Sequence, residues 1–109
     1  MKHLGNVSLL LVGALLLQGC AGTALSTEGQ GVRIISADEA KKCKFVDTVS
    51  SNNQHTLVGE PEEDARNQAR NRVASLGGNA LHIKSTNNQI APSGVGSIFT
   101  LNGEAYSCR

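Results

Sequence analysis

The chain has 109 residues and a formal net charge of +1, with 17% charged, 39% hydrophobic and only 3% aromatic residues. That balance gives no electrostatic footprint for nucleic acid, and the length bounds the fold to one small domain. A core of this size stabilises by only about 3–5 kcal/mol, so a covalent or metal staple is expected.

Lys2 and His3 open the chain, and residues 7–17 carry no charge, the layout of a secretory signal. As a helix those residues would reach only about 16 Å, half of a ~30 Å hydrocarbon core, so they do not read as a membrane span. Leu17-Gln18-Gly19-Cys20 closes the run and resembles a bacterial lipobox. The resemblance implies cleavage between Gly19 and Cys20, with a covalent lipid on Cys20. More than one acyl chain makes a stable anchor, whereas a single chain binds marginally. The competing reading is a core helix with an incidental cysteine, which the N-terminal position and the flanks oppose. The expected organisation is a signal peptide (1–19), a lipidated N-terminus and flexible tether (20–31), and one domain (32–109). The tether is small and polar, and as a coil it would span roughly 18 Å. Ala21, where Asp commonly marks inner-membrane retention, implies the outer membrane in a Gram-negative source. Without Lys2, nine basic side chains balance nine acidic ones.

In the domain, residues 31–36 are short and β-branched, a first strand. Residues 37–42 form either one helical turn or a polar connection. Residues 43–49 alternate well enough for a second strand, with Cys43, Phe45 and Val49 on one side, interrupted by Asp47. Residues 50–60 are polar and read as an exposed loop.

A helix then starts at Pro61, whose fixed φ suits the first turn, and Glu62, Glu63 and Asp64 sit at the positive end of its dipole. Ala65, Ala69, Val73 and Leu76 recur at helical spacing as its buried stripe, and Gly77 is the left-handed stop. Arg66, Arg70 and Arg72 fall on flanking or outer faces, and the acidic residues before them make a solvated face the expectation. Residues 79–85 are a third strand, with Leu81 and Ile83 inward and Ala80, His82 and Lys84 outward. Residues 86–96 read as a second polar loop. Residues 97–108 have two readings. Asn102-Gly103 signals a hairpin that would pair Phe99 with Tyr106, and the alternative is one long strand kinked or bulged at Gly103.

Once Cys20 is acylated, only Cys43 and Cys108 remain, in an oxidising compartment. A disulfide between them would stabilise by about 4 kcal/mol in the chain-entropy model. The alternatives are two free thiols, or a metal site completed by His55 and His82. Zinc clusters announce themselves by close ligand pairs, which this sequence lacks, so no metal site is expected.

Five stretches then occur in a recognisable order. They are the lipobox, Glu28-Gly29-Gln30-Gly31-Val32-Arg33, Cys43-Lys44-Phe45, Ala74-Ser75-Leu76-Gly77-Gly78-Asn79 and Gly103-Glu104-Ala105-Tyr106-Ser107-Cys108. Together they resemble the bacterial lipoprotein family catalogued as domain of unknown function 4156, over nearly all of residues 20–109. The resemblance implies an α+β fold: a small β-β-α-β-β domain with one helix on an antiparallel or mixed sheet. It also implies joined Cys43 and Cys108, a single kinked terminal strand and no established enzymatic activity. A more distant similarity reaches the sensor lipoprotein of the Rcs envelope-stress phosphorelay, through Cys43-Lys44-Phe45 followed by a helix. This chain departs from it in having two non-lipid cysteines rather than four, and a short tether with little proline.

The functional expectation is a periplasm-facing binding or sensing module, not an enzyme. Its partners would be the membrane, through the lipid anchor, and an envelope protein met through residues 50–60 or 86–96. No nucleic acid and no cofactor beyond the lipid are expected. The alternative is a small envelope enzyme or metal-binding domain using His82 and His55. That alternative needs a cleft bringing a histidine to a carboxylate and a nucleophile, and no catalytic residue can be named from the sequence.

Overall fold

The structure, a computed structural model, describes residues 22–54 and 60–109. Their elements are α1 (Thr27–Gln30), β1 (Arg33–Ile34), α2 (Ala37–Ala40), β2 (Lys44–Asn52), α3 (Pro61–Ser75), β3 (Ala80–Ile90) and β4 (Ser97–Ser107). The strands form one mixed sheet in the order β1-β3-β4-β2, with β1 parallel to β3 and the other pairings antiparallel. Helix α3 packs on one face of it, so the fold is α+β, with the expected strand and helix order plus two single-turn helices.

Helix α3 begins at Pro61, which gives up no hydrogen bond in the first turn, and Glu62, Glu63 and Asp64 follow. Ala65, Ala69 and Val73 form its buried stripe, and the alanines let the helix lie close to the sheet. Gly77 follows with φ +85°, the left-handed stop that only glycine adopts cheaply. The stripe meets Val32, Val49, Leu81, Leu101 and Ala105, with Val46, Leu76, Ile83 and Phe99 at the margin. A second, smaller cluster covers part of the opposite face, where Ile35, Ala40 and Ala80 pack with Cys43, Tyr106 and Cys108. Ala80 therefore points outward in the pleat yet is fully buried, because α2 folds over it. The short helix α2 is fixed by a capping box in which Ser36 and Glu39 satisfy each other's backbone amides.

Several expectations are corrected. The hairpin reading of residues 97–108 fails, because β4 is one continuous strand. Asn102 pairs with Ser50 and Ser85, and Gly103 with Val49 and Ile83, so the Asn-Gly pair lies in the middle of the sheet. Gly103 is required there by close approach: a Cβ on it would lie 2.6 Å from the His82 carbonyl oxygen. The irregularities sit on its neighbours, between Ile83 and Ser85 on β3 and between Phe45 and Asp47 on β2. The extra residue at Val46 re-phases β2. Phe45 thus pairs with Tyr106 on the outer face, while Val49 stays on the helix face. Phe99 does not meet Tyr106; it pairs with Asn88.

The loop expected at residues 86–96 is half strand. Thr86 to Ile90 continue β3 against Leu101 to Ser97, and the turn is confined to residues 91–96, with positive φ at Gly94 and Gly96. Polar side chains hid this strand, whose order comes from the backbone ladder rather than from burial. The loop expected from Ser50 onward also begins later, since Ser50 to Asn52 belong to β2. Asn53 is 1% exposed, donating from Nδ2 to the Ser97 carbonyl and accepting at Oδ1 from the Phe99 amide.

Candidate functional site

Three features carry polar chemistry: the outer sheet face, the contact between α3 and the chain's N-terminal segment, and the end where Cys43 meets Cys108.

On the outer face, the β3–β4 register sets His82 directly across from Glu104. His82 Nδ1 lies 3.8 Å from Glu104 Oε1, beyond hydrogen-bond distance, and Lys84 Nζ lies 4.0 Å from Oε2. Tyr106, two residues along β4, donates its hydroxyl to Glu104 Oε1 at 2.8 Å. That hydrogen bond raises the Tyr106 pKa above the ordinary 10.0, with burial and the Glu104 charge adding to the effect. Phe45 meets Tyr106 edge-on at 5.8 Å between ring centroids and keeps about half of its surface exposed, at 49%. The structure therefore brings His82 to a carboxylate. The neighbouring depression is lined by Thr48, Ser50, Lys84, Asn102 and Glu104, and Ser50 Oγ lies 3.1 Å from Asn102 Oδ1. His55 lies outside the described residues. Among the described residues, no cluster of three or more His, Cys, Asp or Glu side chains could hold a metal.

The second feature corrects the flexible tether expected over residues 20–31. From Thr23 onward the chain is docked on α3. Asp64 Oδ1 accepts the Thr23 amide at 2.7 Å, and Asn67 Nδ2 donates to the Thr23 carbonyl at 3.1 Å. Asn71 takes both sides of the next stretch, accepting the Ser26 amide at 2.8 Å and donating to the Ala24 carbonyl at 2.9 Å. Arg70 completes the clamp, with Nε on the Val32 carbonyl and Nη2 on the Gln30 carbonyl. Ser26 caps α1 by accepting the Gly29 amide. Each of these hydrogen bonds from α3 reaches backbone, so together they fix the path of the segment. Arg70, expected on a flanking or outer solvated face, instead bonds this segment. Two asparagines inside a helix, where they fit poorly, were the available signal.

At the third feature the Cys43 and Cys108 sulfurs stand 2.08 Å apart, a disulfide's distance, across a sequence separation of 65. Asn79 holds the same end, donating to the Cys108 carbonyl and accepting its amide. Beside it is an open depression of about 670 Å³, whose lining includes Lys42, Lys44, Phe45 and Arg109 but no Asp or Glu. Its three basic side chains can offer charge-assisted hydrogen bonds to an anionic group. The cleavage and lipid-attachment residues Gly19 and Cys20 lie outside the described residues. No helix among the described residues is long and apolar enough to cross a membrane.

Comparison with known proteins adds a family and a set of relatives. A family model described as "Domain of unknown function (DUF4156)" matches residues 23–108. The chain is similar to a protein named "Uncharacterized protein YjeI" in Escherichia coli strain K12, with 29% identity over 114 residues covering 97% of each chain. Its counterparts in Escherichia coli O6:H1 and Shigella flexneri match with the same identity and coverage.

Proposed function

From the premise that the chain belongs to the DUF4156 family, whose description carries no activity, we propose that it is a lipoprotein of the bacterial cell envelope. Its domain faces the periplasm as a non-enzymatic binding or sensing module. The observation that carries this reading is Leu17-Gln18-Gly19-Cys20 at the end of a short uncharged run behind a basic start. Lipid on Cys20 holds the domain to a membrane, and Ala21 favours the outer membrane of a Gram-negative cell. On the outer sheet face, which α2 covers only in part, Phe45 is half exposed beside Tyr106, which supports a role in meeting an envelope protein, since aromatic side chains are enriched where proteins meet.

The test is intact mass of the membrane-extracted protein, together with detergent-phase partitioning of the Cys20→Ala chain. An acylated Cys20 terminus, and loss of the variant from the detergent phase, is the expected result. A chain that begins at Met1, or a variant that still partitions with detergent, overturns the reading. A second reading, a small envelope enzyme or metal site, is favoured by the proximity of His82 and Glu104. Native mass spectrometry with added zinc, comparing the wild-type and His82→Ala chains, tests its metal form.

A further inference from the structure

We propose that the tip of the β3–β4 hairpin is a second membrane contact, dipping Ile90 and Val95 into the interfacial layer of the bilayer that carries Cys20. The inference rests on the lipid-anchor reading for which bilayer is met. Three observations converge on it. Ile90 and Val95 are the most exposed large apolar side chains among the described residues, at 78% and 74%, one just before the turn and one within it. Around them, residues 85–103 contain no charged side chain, so nothing on the hairpin resists the headgroup region.

The third observation is placement. Thr23 is bonded to Asp64 and Asn67, and Ser26 to Asn71, so the chain runs along α3 in the helix's own direction. The first described residues therefore lie toward the N-terminal end of α3. The hairpin lies at that same end. Ser51, near the close of β2, donates to the Ala65 carbonyl in the second turn of α3, and Asn53 bonds Ser97 and Phe99 at the base of the tip. From Cys20 to Thr23, a fully extended chain reaches at most about 11 Å. A lipidated Cys20 thus holds this end of the domain against the headgroups, where two exposed aliphatic side chains gain by leaving water. The second contact converts a swivelling attachment into a fixed orientation.

The experiment uses the full chain with one added cysteine, Ser93→Cys at the exposed turn, labelled with a polarity-sensitive fluorophore. Ser75→Cys, exposed at the far end of α3, is the control. Both are placed on vesicles of phosphatidylethanolamine and phosphatidylglycerol, with and without doxyl-labelled lipid. A blue shift and doxyl quenching at residue 93 but not at 75, both lost in the Ile90→Asp/Val95→Asp chain, is the expected result. Acylated, vesicle-bound protein whose residue-93 probe matches the residue-75 probe overturns the proposal and leaves the anchor standing. A parallel arm replaces residues 1–20 with a histidine tag, so that the tag takes the place of the lipid, and captures that chain on nickel-chelating lipid. If the native chain proves unacylated, this arm still decides: quenching at residue 93 supports the tip contact, and its absence overturns it.

Discussion

Gly29 and Asn71 offer the sharpest test of the N-terminal clamp, because one atom of Asn71 occupies the space a side chain at 29 would need. A Cβ on Gly29 would lie 2.3 Å from Asn71 Oδ1 and 2.9 Å from Ser26 Oγ. Asn71 cannot swing aside freely, since Oδ1 holds the Ser26 amide and Nδ2 the Ala24 carbonyl. Removing both bonds with Asn71→Ala costs roughly 2 kcal/mol, at about 1 kcal/mol per bond. That corresponds to roughly 10–30-fold more frequent opening of residues 23–26. Gly29→Ala forces the same side chain out and incurs about 1–3 kcal/mol of overpacking. The two changes destroy the same arrangement, so in the Asn71→Ala background the added methyl should cost much less. The expected coupling is about 1–2 kcal/mol. The assay is native-state hydrogen exchange at the Ser26 amide across the four chains, with thermal melts as the global reference. Additive effects, or unchanged Ser26 exchange in Asn71→Ala, would refute the clamp.

Other predictions address the sheet, the staple and the tyrosine. Gly103→Ala should lower stability by about 1–3 kcal/mol in urea titrations, because the new methyl meets the fixed His82 carbonyl rather than a movable side chain; an unchanged midpoint would contradict that approach. Cys43→Ser and Cys108→Ser should each cost up to about 4 kcal/mol, and the double variant no more than either, whereas additive losses would mean no shared bond. Tyr106 is the only tyrosine in a chain without tryptophan, so tyrosinate absorbance reports it alone. Its folded pKa is raised, so the stability it contributes is complete below the ordinary tyrosine value and disappears as pH rises through the folded one. Glu104→Gln should move that titration downward, and an unmoved midpoint would separate Tyr106 from Glu104.

What the sequence disclosed was what repeats at a local period. Helix α3 was legible from Pro61 through the Ala65-Ala69-Val73 stripe to Gly77, because packing and local preference agree there. The errors came where a neighbouring strand overrode local chemistry. Asn102-Gly103 carries a strong turn signal, yet strands on both sides claim its backbone. Thr86 to Gln89 look like loop because they bury nothing, and only the β4 ladder orders them. Val46 shifts the phase of β2 by one residue, which no alternation pattern announces. At the site, His82 was singled out, but its partner Glu104 was not, because the pairing depends on register. Arg70 is expected on a solvated face, and no local period marks Asn67 or Asn71, since their partners are backbone groups more than 35 residues away.

The irregular steps at Val46 and Lys84 carry a consequence for life at high surface density. β1 pairs with β3 only at Ala80 and Leu81, so among the described residues the sheet leaves two long margins, β2 on one side and the rest of β3 on the other. Chains confined to one leaflet would meet edge to edge far more often than chains free in solution. Each margin could then template a neighbour into a growing ribbon. A bulge interrupts each one, at Val46 on β2 and at Lys84 on β3, and a charged residue, Asp47 or Lys84, stands at the break. Neither margin offers a straight, uncharged run along its whole length. Under the proposed lipid anchoring, the same slips that make the strands hard to read would guard a crowded leaflet against polymerisation.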